Sequence, residues 1–313
     1  MTESIEISEL TKKFEKITAV DGVSLDVRRG EVFGFLGPNA AGKSTTVKIA
    51  ATLLEPTKGT IQVEGHDVQN EPVSVRAITG LLPEDGANTH YDRLSAYKNL
   101  EYFGHLYDVP AEKLHDRIER LLEFLELKDR CDESPATFST GLKQKLSIAR
   151  SMIHDPSVVF LDEPTSSLDP IMSKRVREFI DTQAEGGKQT FFLCTHLLSE
   201  VEALCDRVVF ISRGVLVEVG RPKDLRRKFW TLRTFEVKLT DPNLQKSVDI
   251  ISSTGLVQSV SIEGKRVIFE VEDAETKNPQ IIRALMEAGY QVVEVREHVP
   301  DLEAVYLKVI GGN

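Results

Sequence analysis

Val32-Phe33-Gly34-Phe35-Leu36-Gly37-Pro38-Asn39-Ala40-Ala41-Gly42-Lys43-Ser44-Thr45 decides how this 313-residue chain is read. Five residues of strand-like apolar run lead into the spacing GxxxxGK[ST], and a helix-like run, Thr46-Leu54, follows. Glycines in such a loop let the backbone curl so that successive N–H groups point at phosphate oxygens, and the helix start adds a favourable dipole. Lys43 is placed to reach β- and γ-phosphates, and Ser44 to bind Mg²⁺.

A second stretch supports the first. Val158-Val159-Phe160-Leu161 is an apolar strand closed by Asp162-Glu163. Open α/β sheets place ligands at the carboxyl ends of their strands. Two acids there would, alone, read as a helix N-terminal cap. Downstream of a phosphate loop they read as a Mg²⁺-side carboxylate, Asp162, and a base that polarises attacking water, Glu163.

Composition narrows the class. The formal charge is 39 minus 49, or -10, against the balance of a chain that lives on nucleic acid. Three cysteines, Cys131, Cys194 and Cys205, with no CxxC spacing make neither a disulfide framework nor a zinc site and suit a reducing compartment. No signal peptide is read at MTESIEISEL, and no run is long and apolar enough to cross a bilayer.

The order of elements is that of an α/β domain over about residues 1–222. Strand-like runs at Ile5-Leu10, Val23-Val27, Val32-Leu36 and Gly59-Val63 precede a helical insert at about 85–155. Strands return at Val158-Leu161, Thr190-Cys194 and Val208-Ser212, an alternation that suggests a parallel sheet. In the insert, Leu114, Ile118, Leu121, Leu122 and Leu125 share one helix face. A basic segment, 223–233, reads as a solvated helix and linker, with attraction to anionic lipid as the alternative. Residues 234–313 then run β-α-β-β-α-β, with helices at Leu244-Ser253 and Asn278-Ala288 and a hairpin at Gly264-Lys265. This is a ferredoxin-like plan.

At Phe138-Ser139-Thr140-Gly141-Leu142-Lys143-Gln144 a family becomes visible. This segment resembles the signature sequence of the nucleotide-binding subunits of ABC transporters, and residues 1 to about 220 resemble that subunit. The resemblance implies a P-loop NTPase α/β fold with a mixed sheet core and a helical subdomain, followed here by the small α+β ferredoxin-like domain. It implies that Ser139, Thr140, Gly141 and Gln144 face ATP held by a second ATPase subunit. Ser167-Leu168-Asp169 resembles the D-loop at the dimer seam, His196 the switch histidine on the γ-phosphate, and Phe14 the aromatic that stacks on adenine.

Three positions depart from the family pattern. Glu84 stands where glutamine is usual and can accept a metal contact but cannot donate an amide proton. Ala40 replaces a glycine in the phosphate loop, and Thr140 replaces the first signature glycine. None removes a charge that hydrolysis requires.

The Ser-Thr-Gly signature, Tyr91-Asp92-Arg93-Leu94-Ser95-Ala96, the C-terminal domain and the ending Pro300-Asp301-Leu302-Glu303-Ala304-Val305-Tyr306-Leu307 resemble the drug- and sodium-exporting branch. What that implies is an ATPase using ATP and Mg²⁺, working in a homo- or heterodimer with separate integral membrane subunits. Its expected place is the cytoplasmic face of the membrane, with no nucleic acid partner. Two alternatives stay open: a soluble, non-transport ATPase of the same family, and a nucleotide-dependent regulator without useful turnover.

Overall fold

The computed structural model describes residues 3–84, 89–229, 232–241, 243–298 and 302–311. The chain divides into two compact units, 1–222 and 223–313.

The first unit holds two sheets. One is antiparallel, in the order β2-β1-β4-β5, built from β1 (Glu3–Phe14), β2 (Ile17–Arg28), β4 (Lys58–Val63) and β5 (His66–Asp67). Strands β1 and β2 are joined by only Glu15 and Lys16, with Phe14 opposite Ile17. So short a connection can join only antiparallel neighbours. The mixed-sheet expectation thus holds, with this antiparallel sheet beside the mainly parallel one: alternating residues such as those of Glu3–Leu10 suit a sheet covered on one face.

The other sheet has the order β10-β9-β3-β8-β7-β6. Its strands are β3 (Val32–Leu36), β6 (Thr79–Leu82), β7 (Val158–Asp162), β8 (Thr190–Thr195), β9 (Arg207–Ser212) and β10 (Val215–Gly220). All pairs are parallel except β9 with β10. Every residue of β3, β7 and β8 is buried, which is why these strands read as unbroken apolar runs rather than alternating ones. Phe33, Phe35 and Phe160 pack around Phe192 with ring centroids 5.2–5.8 Å apart. Helix α1 (Lys43–Ala50) joins a core that takes residues from both sheets, among them Ile5, Ile61, Val47, Phe35 and Phe160.

Strand β10 was not anticipated from sequence. It returns from β9 through Arg213 and Gly214, both at positive φ (50° and 81°), the backbone of a tight hairpin turn.

The helical insert contains α3 (Ala96–Leu106), α4 (Ala111–Phe124) and α5 (Thr140–Met152). Ser95 and Ser139 cap α3 and α5, accepting from the Lys98 and Leu142 amides. The expected face of α4 is the buried one: Leu114, Ile118, Leu121 and Leu122 lie inside, with Leu125 just beyond its end. Helices α2 (Pro72–Ile78), α6 (Pro170–Ala184) and α7 (Leu198–Leu204) complete the unit, and α8 (Pro222–Phe229) crosses the unit boundary.

The second unit comprises β11 (Arg233–Leu239), α9 (Leu244–Ser253), β12 (Ser259–Glu263), β13 (Arg266–Val271), α10 (Ala274–Glu287), β14 (Val292–His298) and α11 (Leu302–Gly311). Its sheet order is β12-β13-β11-β14, with every pair antiparallel, the topology of a ferredoxin-like domain. Phe235, Val237, Val267 and Phe269 face Ile251, Ile281 and Leu285 in its core.

Two boundaries differ from expectation. Helix α10 starts four residues before Asn278 and carries Pro279 inside it, although proline more often marks a first turn. Segment 223–233 holds the expected helix, at residues 222–229, but Leu225 is buried rather than solvated, and Arg233 already opens β11 with its guanidinium 2.6 Å from Glu297. Residues 85–88, 230–231 and the Pro300-Asp301 step of the closing stretch lie outside the described residues. Among the described residues no helix is long and apolar enough to cross a membrane.

Candidate nucleotide site

The register of the parallel sheet gathers the site. Leu36 lies beside Thr195, and Cys194 beside Asp162. The carboxyl ends of β3, β8 and β7 are therefore neighbours, and the loop at 37–42, His196 and Asp162-Glu163 meet at one edge, where such sheets bind ligands.

The loop's backbone explains its residue types. At Gly37 a Cβ would lie 2.4 Å from the Ile211 carbonyl oxygen, and at Gly42, with φ 110°, 2.5 Å from that of Ala19. Neither position has room for a side chain. Ala40 sits at φ 63°, a left-handed conformation that costs a non-glycine residue roughly 1–2 kcal/mol. Gly42 is the N-cap of α1 and offers no side-chain cap, so the first N–H groups of the helix remain for an anion. Lys43 is buried, with Nζ donating to the Gly37 and Pro38 carbonyls at 2.6 and 3.2 Å. Its ammonium thus lies across the mouth of the loop.

A cleft of about 490 Å³ opens there, lined by Ile17–Ala19, Pro38–Thr45, Glu84, Asp162, Glu163 and Arg213. Ser44 Oγ donates to Glu84 Oε2 at 3.4 Å and lies near enough to Asp162 to favour its ionised form. Burial pushes the Asp162 carboxyl up to about 6, with Glu84 and Glu163 adding to the shift and Ser44 and Lys43 opposing it. Three carboxylates share the lining with Lys43 and Arg213, a set of hard oxygen donors still short of positive charge. That donor set fits Mg²⁺, which takes one or two carboxylates plus phosphate oxygens and water rather than a full protein cage. Among the described residues no group of three or more His, Cys, Asp or Glu side chains forms a cage of that kind.

Glu163 follows β7 with φ 51°. Its amide donates to the Cys194 carbonyl at 2.9 Å. Oε1 lies 2.7 Å from His196 Nδ1, and Oε2 accepts from Thr195 Oγ1 at 3.3 Å. His196 is exposed. The Glu163 carboxylate is thus oriented by residues at the end of the neighbouring strand.

Ser139, Thr140 and Gly141 are absent from the cleft lining. Ser139 and Thr140 are exposed, and a Cβ at Gly141 would lie 2.8 Å from the Ser167 carbonyl oxygen. The start of α5 therefore rests on the Ser167-Leu168-Asp169 segment of its own chain. Asp169 caps α6, its Oδ1 accepting from the Ile171 and Met172 amides at 3.0 Å.

Two expected site residues stand elsewhere. Gln144, grouped by sequence with donors facing a second subunit, is only 4% exposed, and its amide donates to the Glu163 and Pro164 carbonyls at 3.3 and 3.2 Å. Its donors are spent within its own chain, because helical periodicity turns this position inward from Ser139. Phe14 is exposed at the end of β1, with Lys12 Nζ 5.1 Å from the ring centroid. The cleft wall includes Ile17, Thr18 and Ala19 across the turn instead. Sequence reading missed Arg213 and Thr195. The Arg-Gly pair between two strand-like runs was the available signal for Arg213.

A larger cavity, about 910 Å³, lies on the C-terminal unit, lined by residues including Phe235, Ile282, Met286 and Val295. It is mainly apolar and has no phosphate-binding loop.

Comparison with known proteins is consistent along the chain. Residues 20–166 match the family model described as ABC transporter, and residues 220–310 match that of the ATP-binding protein DrrA1-3-like C-terminal domain. The daunorubicin resistance ATP-binding protein DrrA3 of Streptomyces coeruleorubidus is 34% identical over 308 residues, covering 98% of this chain and 96% of that protein. The ABC transporter ATP-binding protein NatA of Bacillus subtilis (strain 168) is 38% identical over 225 residues, 71% of this chain and 91% of that one. A solved ATP-binding subunit of an ABC transporter superposes with a TM-score of 0.68 at 30% identity, over 73% of this chain and 93% of its own. A dimeric ATP-binding cassette in a post-hydrolysis state with ADP and Pi gives 0.64 at 23% identity, over 69% and 98%, a likeness of fold.

Proposed function

The chain belongs to the family of ABC transporter ATP-binding proteins, and on that premise we propose that it powers an exporter through head-to-tail pairing of two ATPase subunits around shared ATP. As a member of that family it is an ATP-binding and hydrolysing subunit. Export rather than import is inferred from full-length similarity to a protein named for drug resistance and from the shared C-terminal domain. The moving load belongs to integral membrane subunits, docked near the 84–107 surface on the cytoplasmic side.

The observation that carries the two-subunit reading is the split of the expected phosphate contacts. Lys43, Ser44, Asp162 and Glu163 line one cleft, while Ser139 and Gly141 lie outside it at the start of α5. In the proposed pair, the N-terminal N–H groups of α5 and the Ser139 hydroxyl reach the γ-phosphate held by the neighbour. The loop amides and Lys43 hold the phosphates. Phe14 offers its ring to adenine from the end of the β1–β2 hairpin, the Ile17 side. Ser44, Glu84 and Asp162 would hold Mg²⁺, which when bound neutralises charge on the phosphate oxygens.

Hydrolysis then follows from the arrangement around Glu163. Its carboxylate orients and polarises a water, whose oxygen attacks the γ-phosphorus as the bond to the bridging oxygen breaks. His196, held through Nδ1, has Nε2 left for the γ-phosphate. ADP and phosphate are separate like charges, so the closed pair loses the ligand that favoured it. ATP shifts the equilibrium only by binding the closed state more tightly than the open one.

The test is specific ATPase activity against protein concentration, with sizing in parallel. Turnover per chain falls on dilution in step with loss of the dimer; full activity in a strictly monomeric chain overturns the proposal.

A further inference from the structure

Glu163 combines a catalytic position with a left-handed backbone, φ 51°, a conformation a non-glycine residue keeps only where its surroundings impose it. Three contacts impose it. The Glu163 amide donates to the Cys194 carbonyl at 2.9 Å. The Glu163 carbonyl accepts from Ser166 Oγ at 3.1 Å and from Gln144 Nε2 at 3.3 Å. Gln144 Nε2 also reaches the next carbonyl, that of Pro164, at 3.2 Å.

Residue type matters here. A primary amide carries two N–H donors on one nitrogen, so one side chain can serve two successive carbonyls. Gln144 is 4% exposed, and without it the buried Pro164 carbonyl loses its side-chain donor, which is costly, while the Glu163 carbonyl keeps only the Ser166 side of its support.

Gln144 also sits on a helix with a second attachment. One turn earlier, Gly141 lies so close to Ser167 that a Cβ would be 2.8 Å from its carbonyl oxygen. The first two turns of α5 thus grip segment 163–167 at two points. The exposed tip of the same helix carries Ser139 and Thr140.

We infer that Gln144 is a positioning residue that ties the signature end of α5 to the catalytic base of its own subunit. This rests on the two-subunit reading: a γ-phosphate bound at Ser139 belongs to the neighbour's site, while Glu163 serves its own. A small movement of α5 on engaging the neighbour's ATP displaces both carbonyls held by Gln144, and with them the Glu163 carboxylate. The occupancy of one site thereby sets the readiness of the base in the other.

The experiment is steady-state ATPase of the full chain as wild type, Gln144→Met and Gln144→Glu, with equilibrium binding of a fluorescent ATP analogue and thermal melting. Both variants keep the length of the side chain and remove the paired donors. The expected result is a kcat at least tenfold lower, a Hill coefficient for ATP reduced towards 1, and nucleotide affinity within about twofold of wild type. Wild-type kcat and Hill coefficient in either folded variant overturn the inference. So does a loss of turnover matched by an equal loss of nucleotide affinity and a large fall in melting temperature, the signature of packing alone. If Gln144→Met does not fold, Gln144→Glu, nearly isosteric with glutamine, is read by the same criteria. A wild-type chain with non-cooperative, concentration-independent turnover would overturn the two-subunit reading, and this inference with it.

Discussion

His196 Nδ1 lies 2.7 Å from Glu163 Oε1, so the residue after β8 orients the residue after β7. Both sit at strand ends, and the parallel register that places Cys194 beside Asp162 sets their separation. A carboxylate held this way has its orientation set by the fold itself, which suits the role of base proposed for it.

Glu163→Gln keeps the shape and removes the base. Turnover is expected to fall by about 10²–10⁴-fold, while ATP binding persists and the ATP-bound pair accumulates. Single-turnover hydrolysis and sizing with ATP measure both. An undiminished rate would remove Glu163 from its role.

Asp162 carries a pH signature. Its carboxyl is raised to about 6, chiefly by burial and then by Glu84 and Glu163, so below that pH a proton competes with Mg²⁺. Apparent Mg²⁺ affinity should be constant above about pH 7 and fall roughly tenfold for each unit below 6. Mg²⁺ titrations of ATPase activity from pH 5 to 8 read this directly. Asp162→Asn should weaken the metal at every pH and flatten the profile.

Phe14 tests the adenine end of the cleft. A stacked aromatic is worth about 1 kcal/mol, so Phe14→Ala should raise the ATP Kd about fivefold and leave kcat at saturation unchanged. Equilibrium binding and saturating turnover separate the two effects. An unchanged Kd assigns adenine to the wall at Ile17–Ala19 instead.

Acid stability should depend on two half-buried histidines. His90 has Nε2 3.0 Å from the Lys143 carbonyl and 2.9 Å from Ser147 Oγ, and His154 stacks on Tyr107 at 3.9 Å. Burial lowers each to about 4, below the 6.5 of an exposed imidazole. Between those values the unfolded chain binds more protons than the folded one, so stability rises with pH there. It is fully present above about 6.5 and lost as pH falls towards 4, on the order of 2 kcal/mol per histidine after allowing for partial solvent access. Urea unfolding at pH 7 and pH 5 checks it, and His154→Phe should reduce the difference.

The chemistry of the loop from Gly37 to Thr45 was legible in sequence because backbone geometry and ligand contact are both local there. A curl that admits no Cβ at Gly37 or Gly42 declares itself as glycine. The same holds for the unbroken apolar runs of β3, β7 and β8, for the apolar face of α4, and for the Ser139 cap. The β-α-β-β-α-β order of the second unit was equally readable, since each element carries its own period and the hairpin at Gly264 its own turn residue.

Other features depend on partners far away in the chain. The antiparallel sheet of β1, β2, β4 and β5 differs from a parallel one only in how strands are paired, and single strands do not record that. Strand β10 follows the Arg213-Gly214 turn as a strand-like run, Val215–Val219, but its place at the sheet edge is fixed only by its pairing with β9. Gln144 looked like part of a surface motif, yet its helical phase and the position of Glu163, 19 residues on, direct its amide inward. Phe14 enters through the family resemblance alone, and it takes the hairpin to show Ile17 on the cleft wall and Phe14 exposed at the end of β1.

From sequence alone came the phosphate loop, the acidic pair after a buried strand, the signature helix and the two-domain order. These follow from local backbone sterics and from side-chain period, which a linear chain carries intact. Tertiary structure alone decided that Asp162 holds its proton up to about 6, that His196 braces Glu163, and that Gln144 serves its own subunit. Those are consequences of burial and of contacts between residues distant in the chain, and both come into being only when the strand register closes.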